Sequence, residues 1–361
     1  MIVLLYGGMR VLGIETSCDE TAAAVVENGC RLRSNAVASS LDLHAMYGGV
    51  VPEIAARSHI EAIGPVVQQA LDDAGCTWDD IDAIAVTYGA GLGGSLLIGV
   101  LAARTLAIAK KKPLYAVNHV EGHLYANFLT ETTLPDYLMP SAQPQFPVLG
   151  LIVSGGHSQL VLFRDHFDYT LLGQTQDDAI GEAFDKVAKM LGLPYPGGVS
   201  VSKLAAEGDP QAFRLPKARM EQPYDFSFSG LKTAVLRLCQ EQIGEDFTFP
   251  STGLAERLND NQKADIAASF QRVALETVVD KTAAAYQEFT PRTVIIGGGV
   301  ASSQPLRELM ANRLPCPIEY ADRKLCTDNG AMIATLGCYK AMLDQPAADP
   351  YTLDISPNLS M

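Results

Sequence analysis

The chain has 361 residues, 48% hydrophobic and 19% charged. That composition suits a globular protein too long for one small core, so two domains are expected. A formal net charge of −14 argues against broad, non-specific binding to nucleic acid, although basic stretches at 110–112 and 214–220 leave RNA open. Seven cysteines without a CxxC pair fit reduced thiols in a cytosol and offer no thiolate zinc cluster. No apolar run is expected to reach membrane-spanning length.

Residues 1–8 lack the basic region of a signal peptide and read as a peripheral extension before Met9. Residues 10–29, "RVLGIETSCDETAAAVVENG", read as strand, polar turn and strand, with Glu15, Asp19 and Glu20 around the turn. Carboxylates there can hold a metal or steer a proton. Residues 58–75 predict a helix with Ile60, Ile63, Val67, Ala70 and Leu71 on one face. A buried strand at 81–89, a glycine-rich turn and a lysine-ended helix follow.

The strand "PLYAVNH" leads into "NHVEGHLYA", a helix bearing His119 and His123. At i and i+4 these project about 40° apart, so two imidazoles can share a metal. Glu121 sits about 200° around from His119, unlike the glutamate of a zinc-protease HExxH helix. The plain alternative is two unrelated surface histidines. A metal needs a third ligand, and Asp328 in "CTDNGA" is the best distant candidate, although Asp at a helix N-cap is ordinary. Iron, zinc and manganese all tolerate two histidines and a carboxylate.

Residues 129–146 carry three prolines and read as a linker or lid. Residues 147–165, "PVLGLIVSGGHSQLVLFRD", repeat the strand–turn–strand pattern of 10–29, which implies an internal duplication. Two such hairpins facing each other across a cleft can point their turn N–H groups at a phosphate. "VSGGHS", "YPGGVS" and "IIGGGVASS" are glycine-rich turns on α/β elements; together they support a nucleotide cleft, although each alone is an ordinary turn. Asp185, in the predicted helix "DAIGEAFDKVAKMLGL", suits a ribose hydroxyl or an i,i+4 pair with Lys189. A long helix is expected at 261–289, and a last one starts near Asp328.

"GIETSCDET", "NHVEGH", "VSGGH", "GEAFDKVAKMLGLPYPGG", "IIGGGV" and "CTDNGAMIA", in this order from Met9 to Lys340, resemble the bacterial tRNA threonylcarbamoyladenosine transferases. The resemblance implies an α/β fold of the actin, Hsp70 and sugar-kinase (ASKHA) type, two duplicated lobes around a nucleotide cleft. The expected boundaries are 9–129 and 147–345 for the lobes and 130–146 for the linker. The last helix is allowed to pack back on the first lobe, and 1–8 and 346–361 are peripheral tails. The implied activity is transfer of threonylcarbamoyl from threonylcarbamoyl-AMP to N6 of the adenosine next to the anticodon, in tRNAs reading A-starting codons. His119, His123 and Asp328 would hold the metal, Fe2+ by resemblance, with Zn2+ or Mn2+ as alternatives. Val153, Ser154, Gly155, Gly156, His157, Asp185, Gly198 and Ser303 would meet the nucleotide, and Asp19 and Glu20 the reacting group. Ser303 stands where the family has asparagine. The implied partners are tRNA, a paralogous subunit of the same fold and a P-loop ATPase, in the cytoplasm. Competing readings are an ATPase or sugar kinase, a metalloprotease, and a non-catalytic scaffold. The histidine pair argues against the first, the position of Glu121 against the second, and the intact ligand set against the third.

Overall fold

The structure is a computed structural model that describes residues 8–316, 318 and 320–361; the extension expected at 1–8 lies outside the described residues, Gly8 excepted. The chain divides into two compact units. One takes in residues up to 145 together with those from 320 on, and the other runs from 146 to 318.

In the first unit, β1 (Arg10–Glu15), β2 (Glu20–Glu27) and β3 (Arg31–Ser39) form an antiparallel meander, with Leu12 opposite Val25 and Ala23 opposite Ala36. A short α1 (Leu41–Ala45) precedes α2 (Pro52–Asp73). Helix α2 starts six residues before the expected Ser58. Pro52 supplies a helical φ in the first turn, where its missing N–H has no partner to lose. Then come β4 (Ala83–Gly89), α3 (Gly93–Lys110), β5 (Leu114–Asn118), α4 (His119–Tyr125) and the two-residue β6 (Glu131–Thr132). Among the described residues the sheet order is β5-β4-β1-β2-β3-β6, with β4 parallel to β1 and β5 parallel to β4. The central strands are apolar along nearly their whole length, as strands covered on both faces must be.

Helix α3 corrects one expectation, because it is long and apolar enough to cross a membrane by length and composition alone. Its Val100, Ala103 and Ala107 instead join the core made by Leu12, Ile14, Val66 and Ala70. Leu97, Leu101 and Ile108 are exposed.

The second unit opens with β7 (Val148–Val153), β8 (Ser158–Asp165) and β9 (Asp168–Gln174), again an antiparallel meander. Helices α5 (Ile180–Leu191), α6 (Gly197–Ala205), α7 (Ser229–Gln242), α8 (Leu254–Arg257) and α9 (Asp260–Phe289) follow. Strand β10 (Thr293–Gly297) then pairs parallel with β7, and α10 (Gln304–Arg313) closes the unit. The sheet order β10-β7-β8-β9 repeats β4-β1-β2-β3 of the first unit strand for strand and direction for direction. The duplication read from two echoing hairpins therefore extends to a fourth strand.

Helix α11 (Gly330–Met342) belongs to the first unit and packs on β1, β2 and β4. Gly13 permits this approach: a Cβ there would lie 2.8 Å from Ala334 Cα, with the Gly330 carbonyl closer still. The residues after α11 also join the first unit.

Candidate metal site and glycine loops

Both histidines come from α4, which begins where β5 ends. Asn118 caps it, its Oδ1 accepting from Val120 N at 2.8 Å. Asp328 arrives from a different part of the chain, two residues before α11. The sequence left it a plain alternative as an N-cap, but Asn329 takes that duty, its Oδ1 accepting from Met332 N at 3.0 Å. Asp328 is thereby free of the cap. Its Oδ1 lies 3.5 Å from His119 Nε2 and 3.4 Å from His123 Nε2. One ligand atom from each of the three residues falls within 4.8 Å of the others, and the imidazole rings are 4.7 Å apart. The histidines are buried, and the Asp328 side chain keeps 19% of its surface.

The surroundings fit a cation. Glu15, fully buried at the end of β1, has its Oε2 3.0 Å from His119 Nδ1, with Ser17 Oγ 3.1 Å from the same nitrogen. A carboxylate only accepts, so His119 donates from Nδ1 and Nε2 is left to face His123 and Asp328. A carboxylate behind a ligating imidazole is the usual support of a metal-bound histidine. Burial works against the Glu15 charge, but His119, Thr87 and Ser17 hold its carboxyl below the ordinary range. With no cation, burial would lower the His119 pKa, yet Asp328 and Glu15 outweigh it and raise it to about 9. Asp328 is pushed up to about 6, chiefly by burial. Glu121 is also buried, and its charge partner is Lys340. It stands apart from this carboxylate–imidazole group, as the helical geometry requires.

The acidic turn lies beside Asp328. Burial, Asp328 and Asp19 push the Glu20 carboxyl up to about 10. Two buried histidines brace this turn. His59 Nε2 donates to the Cys18 carbonyl at 3.0 Å and its Nδ1 accepts from Thr21 Oγ1 at 2.8 Å. The Asp19 carbonyl accepts from Ser40 Oγ at 2.8 Å, and Ser40 Oγ lies 3.1 Å from His44 Nε2. Ser17, His44 and His59 were not singled out in the sequence, and Glu15 was read there only as one of three carboxylates around the turn, not as the partner of His119.

In the second unit, Val153 to His157 lie where β7 ends and Ser303 follows β10, the side of an α/β sheet where ligands bind, while Asp185 is on α5 and Gly198 on α6. Val153 ends β7, and the 154–157 turn closes on itself, Ser154 N donating to the His157 carbonyl at 2.9 Å. Gly155 and Gly156 are exposed, and a Cβ on either would meet nothing within 4 Å. Gly181, at the start of α5, donates its N–H to the Ser154 carbonyl at 3.2 Å. Gly298, at φ +93°, passes within 3.1 Å of Ser154 Cβ, measured from where its own Cβ would be. Asp185 does not take Lys189 as its partner. Its Oδ1 accepts from Gly197 N at 2.7 Å, beside the open Gly198. Ser303 precedes α10 and makes no side-chain cap bond. On the basic stretch 214–220 the plain surface reading holds for Lys217, which pairs with Glu276 and Asp280.

Comparison with known proteins agrees with this architecture. The family profile described as tRNA N6-adenosine threonylcarbamoyltransferase matches residues 31–335. The protein of that name from Symbiobacterium thermophilum is 52% identical over 332 residues, covering 91% of each chain. Its namesake from Moorella thermoacetica is 45% identical over 367 residues and the whole of both chains. Among solved structures, full-length HypF in its phosphate- and nucleotide-bound form matches with a TM-score of 0.57 at 12% identity, over 96% of this chain and 57% of that one. That likeness concerns fold alone, and the fold is of the ASKHA type. With its motifs in order and a family match over most of its length, the chain belongs to the tRNA N6-adenosine threonylcarbamoyltransferases, transferases that act on tRNA.

Proposed function

We propose that the chain transfers a threonylcarbamoyl group from threonylcarbamoyl-AMP to N6 of the adenosine next to the anticodon in tRNAs reading A-starting codons, with Fe2+ held by His119, His123 and Asp328. The carrying observation is the convergence of those three residues on one point, with Glu15 behind His119. A divalent ion there supplies positive charge for a carbonyl or carboxylate oxygen.

The donor is already activated, so no covalent enzyme intermediate is required. The adenosine N6 attacks the carbamoyl carbon, the bond from that carbon to the phosphate oxygen breaks, AMP leaves and N6 gives up a proton. Asp19 and Glu20 are the proposed acceptors; burial, Asp328 and Asp19 raise the Glu20 carboxyl when no cation is bound at Asp328. The residues proposed for the AMP part belong to the second unit. The amides of the exposed Gly155 and Gly156 suit the phosphate as it leaves. Asp185, held by the Gly197 amide, suits a ribose hydroxyl. His157, Gly198 and the Ser303 hydroxyl complete that set, with Val153 and Ser154 shaping the turn. A paralogous subunit of the same fold and a P-loop ATPase are the proposed partners. The −14 charge supports help from partners with RNA, and seven free cysteines support a cytoplasmic setting.

Purified protein incubated with threonylcarbamoyl-AMP and unmodified tRNA, with and without the partner subunits, should yield the modified nucleoside. Absence of product with every partner set overturns the reading.

A further inference from the structure

The residues after Pro350 form no helix or strand, yet they are tied down along their length. Arg104 on α3 grips them, with Nε to the Pro350 carbonyl at 2.6 Å, Nη2 to Tyr351 at 2.7 Å and Nη1 to Leu353 at 3.1 Å. Leu353 and Ile355 pack against the first unit's core. Ser356 N donates to the Tyr88 carbonyl at 2.7 Å, and Gly91 N to the Pro357 carbonyl at 3.1 Å. The Asn118 amide reaches the Ser360 carbonyl at 3.1 Å.

Two routes lead from this segment to His119. The first runs through Asn118, the residue before it. Its Nδ2 donates to the Ser360 carbonyl while its Oδ1 caps Val120 N. An amide can do both in one orientation only, so Ser360 selects the rotamer that caps α4. A helix of seven residues does not hold itself together, and its cap matters in proportion. The second route runs through the 89–92 turn. Pro357 holds Gly91, and Leu92 N donates to the Ser17 carbonyl at 2.8 Å. Gly91 sits at φ +153°, and a Cβ there would lie 2.6 Å from the Ser17 carbonyl oxygen. Ser17 in turn touches His119 Nδ1 through its hydroxyl.

We propose that residues 350–360 are a strap that positions His119, holding the start of α4 through Asn118 and the imidazole's back side through the 89–92 turn and Ser17. The strap acts through the ligand it orients. The proposal rests on the metal reading above.

The test uses the full chain, a chain lacking residues 356–361, and Asn118→Asp. The Asp variant keeps an oxygen to cap Val120 but cannot donate to Ser360. Metal affinity is read by Co2+ titration with its absorption spectrum, and α4 is read by amide hydrogen exchange in the metal-free protein. Both variants should bind Co2+ about tenfold or more weakly, with a changed spectrum, as for loss of a group that orients a ligand. Their α4 amides should exchange faster while those of β1 and β2 keep their protection. Wild-type affinity and wild-type α4 exchange in folded variants overturn the strap. If the shortened chain does not fold, Asn118→Asp decides alone. If the wild type takes up no Co2+, the metal reading falls, and unchanged α4 exchange in the variant still sinks the strap.

Discussion

Four side chains of the candidate site converge on His119. One ring nitrogen faces Glu15 and Ser17, the other Asp328 and His123. Without a cation its pKa stands at about 9, because Asp328 and Glu15 outweigh burial. A metal needs a bare Nε2, so below that pH binding must expel a proton. Between about pH 6, below which Asp328 also carries a proton, and about 9, apparent metal affinity should therefore rise about tenfold per pH unit, and then level off. Chelator competition across that range measures the slope. Glu15→Gln removes a carboxylate that raises this pKa, so the levelling should move to lower pH. An unchanged break would mean that Glu15 does not set the proton affinity of His119.

At the scale of elements, the site depends on how α4 and α11 meet, because the two histidines are on α4 and Asp328 lies just before α11. Gly122 on α4 faces α11, where a Cβ would stand 3.1 Å from Ile333 Cδ1. Gly13 lets α11 approach β1, and its limiting neighbours are backbone atoms that cannot rotate away. Gly13→Leu should therefore destabilise the protein by about 3 kcal/mol and shift Asp328 away from the histidines. Thermal unfolding and metal titration together check this. A stable variant with undiminished metal binding would show that the close approach is not needed.

For the whole molecule, all three proposed metal ligands lie in the first unit, whereas the glycine loops proposed for the nucleotide lie in the second. A ligand that binds only the folded state stabilises what it binds by mass action. Adding metal should thus slow amide exchange in α4, α11 and β1 well before it affects β7 or β10. An AMP-like ligand should do the reverse. Equal protection of both sheets by metal alone would contradict the assignment of ligands to one unit.

The sequence by itself determined the α/β class, the repeated hairpins, the histidine spacing and the exclusion of Glu121, because each follows from local periodicity. Apolar runs mark strands buried on both faces, and i,i+4 residues share a helix face whatever surrounds them. Tertiary structure alone decided the rest. Asp328 was already the candidate third ligand in the sequence, but only the fold set it beside the histidines, with Asn329 taking the N-cap and the start of α11 returning to α4 across some two hundred residues. Glu15 found His119 because β1 and β5 flank β4 in one sheet. Asp185 preferred the Gly197 amide to Lys189, since a half-buried carboxylate gains more from a fixed N–H than from a solvated ammonium. The strap went unread because its hold on the unit is made largely through backbone carbonyls, which every residue carries and no sequence pattern announces.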